Sequence, residues 1–268
     1  KKLFFIDAYA LIYRSYFAFI KNPRINSQGL NTSAILGFVN TIEDILKREK
    51  PSHLGVALDP AGPTFRHEAF EAYKAQREST PEDIKKAVPY IKTLLKAYNI
   101  PIYEVSGYEA DDVIGTLAKQ AAKQGFTVYM LTPDKDYGQL VEENIFMYRP
   151  KHSGGYEILG VEEVKAKYGL ENQAQVIDLL GLMGDSSDNI PGCPSVGEKT
   201  AVKLLQEFGS IENLLANTES LKGALKTKVE SNIEQIKFSR FLATIKTDTP
   251  ISLNEEELVV KSPNTAEL

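Results

Sequence analysis

The sequence predicts an α/β fold, a mostly parallel central sheet flanked by helices, with a C-terminal helical region. Three observations carry this. Short apolar runs such as LFFI and VYML are separated by longer stretches in which apolar residues recur every three or four positions. Strand, helix, strand order of that kind implies parallel pairing. Beyond Gly184 the strand pattern stops, and helical periodicity continues between glycines at 192, 197, 209 and 223.

Residues 3 to 7 and 53 to 59 read as short buried strands. Between them, 33 to 49 carries Ile35, Phe38, Ile42, Ile45 and Leu46 at helical spacing. Pro81 and Pro89 punctuate a region where 65 to 78 and 83 to 98 both read as helices; this insertion, at about 62 to 98, would rise from the edge of the sheet where Asp59 lies. Ile100 to Val105 is a further strand, Glu109 to Gln124 a helix ending at Gly125, and 126 to 132 the next strand. A hairpin is expected from 144–149 and 156–158, and helices at 161–168 and 174–183. The expected domains are a core at 1–183 with the helical insertion, a helical region at 184–255, and a linker at 256–268. The chain opens at Lys1 without Met and closes in Ser262-Pro263-Asn264 and a short acidic tail, so an excised domain is expected.

With 268 residues and 43% apolar content the chain can bury one large core and a helical appendage. Its apolar runs fall far short of the roughly 20 residues that a membrane-spanning helix needs, and no secretory leader is evident, so a cytoplasmic setting is expected. The single cysteine, Cys193, excludes an internal disulfide and a cysteine-rich zinc site. The net charge of −5 argues against nucleic acid only as a sum. Many of the acidic residues are clustered, and bound cations would offset their charge.

Asp7, Asp59, Asp134 and Asp136 lie where predicted strands end, and EADD (Glu109, Asp111, Asp112) and GDSSDN (Asp185, Asp188) stand beside helical patterns. In an open parallel sheet, ligands bind at the C-terminal strand ends. Carboxylates gathered there keep their charge only if cations join them. Two divalent ions held by such a set would suit phosphodiester hydrolysis, one activating water and one stabilising the leaving oxygen. Acidic residues in a first helical turn also suit the helix dipole, which would account for one member of EADD but not three. A receiver or phosphatase domain also places aspartates at strand ends, with Lys135 and Thr132 as loose candidates for its lysine and hydroxyl partners.

Two further patterns point to a polymer of phosphates. Arg66, Phe70, Tyr73, Lys74 and Arg77 fall at spacings of three and four, so one helix would put cations and rings on one face, suited to phosphates and unstacked bases. The segment 190 to 210, IPGCPSVGEKTAVKLLQEFGS, has the form of a helix-hairpin-helix whose second helix begins near Glu198. Its use would be to aim backbone N–H groups at a phosphate, through Gly192, Ser195, Val196 and Gly197, with Lys199, Thr200 and Lys203 on the following helix.

Taken together, FID, FRHEAFEAYKAQR, EADDVIGTLA, TPDKDYGQLV, GLMGDSSDNIPG and VGEKTA closely resemble the 5′ nuclease (5′-3′ exonuclease) domains of bacterial DNA polymerase I, within the flap endonuclease family, from about Leu3 to Phe241. The resemblance implies a PIN-like nuclease core and a nuclease that removes 5′ flaps and RNA primers in DNA replication and repair, using two Mg²⁺ or Mn²⁺ ions. It implies Asp7, Asp59, Glu109 and Asp111 at the first ion, Asp134, Asp136 and Asp185 at the second, and Asp112 and Asp188 as outer ligands. Lys74 and Arg77 would steady the scissile phosphate, with Arg66 on the same face, and Tyr73 would stack on a displaced base. A K⁺ ion near residues 190 to 200, a helical gateway formed by the insertion, and polymerase domains beyond Leu268 are further implications. So are branched or nicked DNA and primer–DNA hybrids as partners of a monomer in the bacterial nucleoid.

The chain departs from the family pattern at Ala8, Leu58, Pro133 and Ser195, where Gly, Phe, Gly and Gly are frequent. Proline fixes φ and removes an N–H, so a stiffer loop is expected before Asp134. Two other readings remain at this point: a ribonuclease with a related metal pocket, needing neither hairpin nor gateway, and a DNA-binding module without activity, which the intact set of nine carboxylates opposes.

Overall fold

The computed structural model describes all 268 residues. Its sheet is built from β1 (Lys2–Asp7), β2 (His53–Ala57), β3 (Ile102–Tyr103), β4 (Thr127–Leu131), β5 (Ile145–Pro150) and β6 (Tyr156–Leu159), in spatial order β3-β2-β1-β4-β5-β6. Every neighbouring pair is parallel except β5 and β6, the expected hairpin. Strand β1 alternates in the manner of a doubly buried strand. Phe4 and Ile6 join the cluster containing Phe38, Ile42, Ile45 and Ile91. Leu3 and Phe5 join the larger cluster on the other face, with Val113, Leu117, Val128 and Met130.

The helices of the core are α1 (Ala8–Ala18), α2 (Ser33–Arg48), α3 (Phe65–Ala69), α4 (Glu82–Ala97), α5 (Ala110–Lys123) and α6 (Val161–Tyr168). The C-terminal helices are α7 (Gln175–Met183), α8 (Glu198–Phe208), α9 (Ile211–Ala216), α10 (Gly223–Ser231), α11 (Ile233–Ala243) and the short α12 (Glu255–Leu258). No helix is long and apolar enough to cross a membrane.

From β1 the chain passes to β2 and β3 on one side, then crosses to β4 on the other. The strand order therefore reverses between β1 and β4, and a crevice opens above their C-terminal ends. Asp7 closes β1 opposite Ala57, Asp59 lies two residues past the end of β2, and Asp134 three past β4. The topology thus brings together carboxylates that are distant in sequence.

Two expected elements take another form. The helix expected over 65 to 78 stops at Ala69, where Phe70 turns extended (φ −148°) and packs edge-on against Phe238 of α11 at 5.6 Å. Residues 256 to 264, expected as a linker, are docked. Leu258 is buried over Gly55, Val260 N–H donates to the Ser52 carbonyl at 3.0 Å, and Asn99 Nδ2 donates to the Ser262 carbonyl at 2.9 Å.

Candidate active site

A cleft of about 1110 Å³ stands over the β1/β4 crevice. Its lining includes Asp7, Asp59, Glu109, Asp111, Asp134, Asp136, Asp185 and Asp188, eight of the nine predicted carboxylates, together with Lys74 and Arg77. Asp7 accepts a hydrogen bond from Tyr137 Oη at 2.9 Å, and Asp59 Oδ1 accepts from the Ala110 N–H at 2.8 Å, which ties β2 to the start of α5. Asp134 Oδ1 accepts from the Asp136 N–H at 2.9 Å, closing the 3₁₀ turn Lys135–Leu140 that presents Asp136. The Asp134 N–H donates to Thr132 Oγ1 across Pro133. Asp185 Oδ1 accepts from Ser187 N and Oγ at 2.9 and 2.6 Å.

Glu109 caps α5 and is held by cations. Arg66 Nη1 donates to it at 2.5 Å, Lys74 Nζ pairs with its other oxygen, and Tyr73 Oη donates to it at 3.0 Å. Burial alone would raise its pKa, but Lys74 and Arg66 outweigh that and hold it down at about 2. For Asp7, Asp59, Asp111, Asp134, Asp136 and Asp188 burial outweighs the nearby donors and cations. Burial, then the charges of Asp59 and Asp134, push Asp7 up to about 7. Burial and neighbouring carboxylates likewise hold Asp111 and Asp136 well above the ordinary aspartate value, and burial raises Asp59, Asp134 and Asp188.

Two buried oxygens, Asp111 Oδ1 and Asp136 Oδ1, have no hydrogen-bond partner. They fall in separate acidic groups, Glu109 with Asp111 and Asp112, and Asp136 with Asp185 and Asp188, in each of which one oxygen per residue lies within 4.8 Å of the others. Buried carboxylate oxygens without donors are costly unless a cation joins them. An oxygen-only donor set fits Mg²⁺ or Mn²⁺ rather than a soft metal.

Asp112, expected as an outer ligand, stands behind Glu109 and does not reach the cleft wall. It is fully buried, with both oxygens taken: Arg66 forks onto them at 2.8 Å each, and the Glu109 and Lys246 N–H groups donate at 3.1 and 2.8 Å. Arg66 departs from the expected phosphate-gripping face for the same reason. It is 2% exposed, and its remaining donors reach the Leu242 and Thr244 carbonyls at 2.8 and 2.7 Å. Tyr73, expected to stack on a displaced base, is 4% exposed with its hydroxyl on Glu109, so its ring is not offered to a base. These three form a buried frame that aims Glu109 at the cleft.

Lys74 and Arg77 do face the cleft. Lys74 sits at φ 55°, its N–H donating to the Asp188 carbonyl at 2.9 Å, and Arg77 pairs with Asp188 and donates to the Ser187 carbonyl at 3.0 Å. The base of the insertion is thereby fastened to the loop that carries Asp185. Tyr9, Tyr13 and Phe17 on α1 and Lys85 and Lys92 on α4, not among the expected site residues, line the same cleft. The spacing of the three rings, i, i+4 and i+8, was the available signal.

In the predicted hairpin, α7 and α8 are joined by the loop 184–197. Gly184 and Gly192 pack against each other there, both at positive φ, and a Cβ on Gly192 would fall 2.4 Å from the Gly184 nitrogen. Gly192 is buried with its N–H on Ser239 Oγ at 2.9 Å, and Val196 is buried, so neither offers a direct contact to a ligand as expected. Ser195 occupies φ 64°, the left-handed region that favours glycine, and accepts from Lys228. Gly197, Lys199 and Lys203 are exposed and Thr200 half-buried; the N–H groups of Glu198, Lys199 and Thr200 precede the first helical hydrogen bond, which Ala201 N–H makes to the Gly197 carbonyl at 2.9 Å.

Residues 2–169 match the family model described as 5′-3′ exonuclease, N-terminal resolvase-like domain, and residues 171–266 match 5′-3′ exonuclease, C-terminal SAM fold. The chain is 46% identical over 257 residues to DNA polymerase I of Bacillus subtilis, covering 95% of this chain but 29% of that protein. It is 38% identical over 268 residues to a 5′-3′ exonuclease of Aquifex aeolicus, covering all of this chain and 90% of that one. Among solved structures, T5 5′-exonuclease with zinc ions bound aligns at TM-score 0.76 and 21% identity, over 92% of this chain and 90% of that chain. The catalytic core of Rad2 in complex with DNA aligns at TM-score 0.65 and 18% identity, over 99% and 83%. These two neighbours establish the fold.

Proposed function

The chain belongs to the 5′-3′ exonuclease family, and from that premise we propose that it is a structure-specific nuclease acting on 5′ flaps, nicked duplexes and RNA primers through two divalent ions. The observation that carries this is the two buried carboxylate oxygens on one cleft, Asp111 Oδ1 and Asp136 Oδ1, that no protein donor satisfies and that lie in separate acidic groups. Asp7, Asp59, Glu109 and Asp111 would hold one ion, and Asp134, Asp136 and Asp185 the other, with Asp188 beside it. Bound Mg²⁺ or Mn²⁺ would supply Lewis-acid stabilisation of the phosphate and a more acidic water.

The chain's own residues do the rest. Arg66, Asp112 and Tyr73 fix Glu109, while Lys74 and Arg77, at the mouth, neutralise and orient the scissile phosphate. The exposed N-terminus of α8, with Lys199, Thr200 and Lys203, grips the duplex backbone, and a K⁺ ion beside that loop would bridge it to phosphate. The span from α3 to α4 would form the gateway for the 5′ strand. We place the chain, as a monomeric unit, in the bacterial cytoplasm at the nucleoid, covalently continuous with polymerase domains as in its DNA polymerase I relatives.

The test is cleavage of a 5′-flap DNA, a blunt duplex and a single-stranded RNA, with Mg²⁺ or with chelator. The flap should be cut near its junction, and Asp134→Ala or chelation should lower the rate by roughly 10²-fold or more. Tight binding of an uncut flap in both Mg²⁺ and Mn²⁺ would mean a binding module, and cutting of the RNA alone a ribonuclease.

A further inference from the structure

A second cavity, of about 240 Å³, adjoins the main cleft. Lys135, Arg149 of β5 and Lys167 of α6 converge on it from three different elements, over a floor that includes Leu179, Leu180 and Met183. Lys165, on the same helix as Lys167, is paired with Glu162. The three cations of the cavity form no ion pair, although Asp136 and Glu198 also border it. Burial and then the charge of Arg149 hold the Lys167 ammonium below its ordinary pKa, and the opposing charge of Glu157 offsets this only in part. Mutual repulsion between Arg149 and Lys167, at a cavity whose floor is apolar, is relieved by an anion.

Position and size say which anion. Asp136 lines both this cavity and the main cleft, and Glu198 is the first residue of α8, so the cavity lies between the acidic site and the helix end that faces the duplex. Its volume is below the roughly 300 Å³ at which sites for whole small molecules begin, but admits a phosphate with the apolar face of its sugar. We infer that Lys135, Arg149 and Lys167 form a phosphate subsite for the sugar–phosphate backbone of the strand that runs from the acidic cleft to α8. This inference rests on the nuclease reading above.

The experiment measures binding of a 5′-flap DNA by the wild-type chain, Arg149→Met, Lys167→Met and the double variant, in Ca²⁺ to hold back cleavage, across a salt series. Thermal melts check that the variants fold. Each single change should weaken binding about fivefold whatever the base sequence, and lower the slope of log K against log salt by about 1. A single neutral methylphosphonate, walked along the strand, should weaken the wild type at one position and leave the double variant unaffected there. Wild-type binding with unchanged variants overturns the subsite alone, whereas failure of the wild type to bind overturns the nuclease reading and the subsite with it. Inorganic phosphate and dAMP are titrated in parallel. Variants that lose these but keep the flap would mark a site for free anions and overturn the inference.

Discussion

Replacing Arg66 by methionine should destabilise the protein without acting on the substrate directly. The side chain is 2% exposed and makes five hydrogen bonds, three to Glu109 and Asp112 and two to the carbonyls of Leu242 and Thr244. Methionine fills similar space but leaves Asp112 fully buried with its charge uncompensated. Breaking a buried pair in this way costs about 3–5 kcal/mol, a large share of the 5–15 kcal/mol typical of a folded domain. Lysine keeps the charge but cannot fork onto a carboxylate, so Arg66→Lys should cost about 1.5–3 kcal/mol.

The assay is urea denaturation at pH 7 in chelator, then at falling pH. Glu109 sits at about 2, below the ordinary carboxylate value near 4.3, so its contribution is present above the ordinary value and is lost as pH falls toward 2. Since Arg66 supplies part of that shift, the gap between wild type and Arg66→Met should narrow below about pH 4. A variant within 1 kcal/mol of wild type, with unchanged slope in urea and with weakened DNA binding, would refute the buried-frame assignment in favour of a phosphate contact.

The metal-free protein should lose stability as pH rises from about 4 to 7, because Asp7 is raised from 3.8 to about 7 and the folded state binds the extra proton over that window. The upper bound from Asp7 is about 4 kcal/mol, and thermal melts with and without Mg²⁺ should diverge increasingly toward pH 8; parallel curves would count against a shared carboxylate site. Gly192→Ala should cost about 3 kcal/mol or more and lower Tm by roughly 10 °C, since its Cβ would fall 2.4 Å from the Gly184 nitrogen and it sits at φ 64°. A melt within 2 °C of wild type would show that the loop 184–197 can open there.

Much of the core was legible because its signals are local. The run LFFI says doubly buried strand whatever surrounds it, and Ile35, Phe38, Ile42 and Ile45 repeat with the period of a helix. The strand-end aspartates were legible too, since parallel topology forces those ends together. The helix expected over 65 to 78 ends early for a reason the spacing does not contain. Phe70 leaves helical geometry to pack on Phe238, far away in the chain, and the residues beyond it no longer share a face with Arg66.

By itself, then, the sequence determined the layered fold, the set of acidic residues and the family, because periodicity, strand ends and motif order are properties of short segments. Only the tertiary structure decided which charged groups face the cleft and which support it. Asp111 and Asp112 are adjacent on α5, yet one leaves an oxygen without a partner beside the cleft and the other is locked beneath it by Arg66. A helix advances about 100° per residue, so neighbours in sequence meet different surroundings, and those surroundings are supplied by distant parts of the chain.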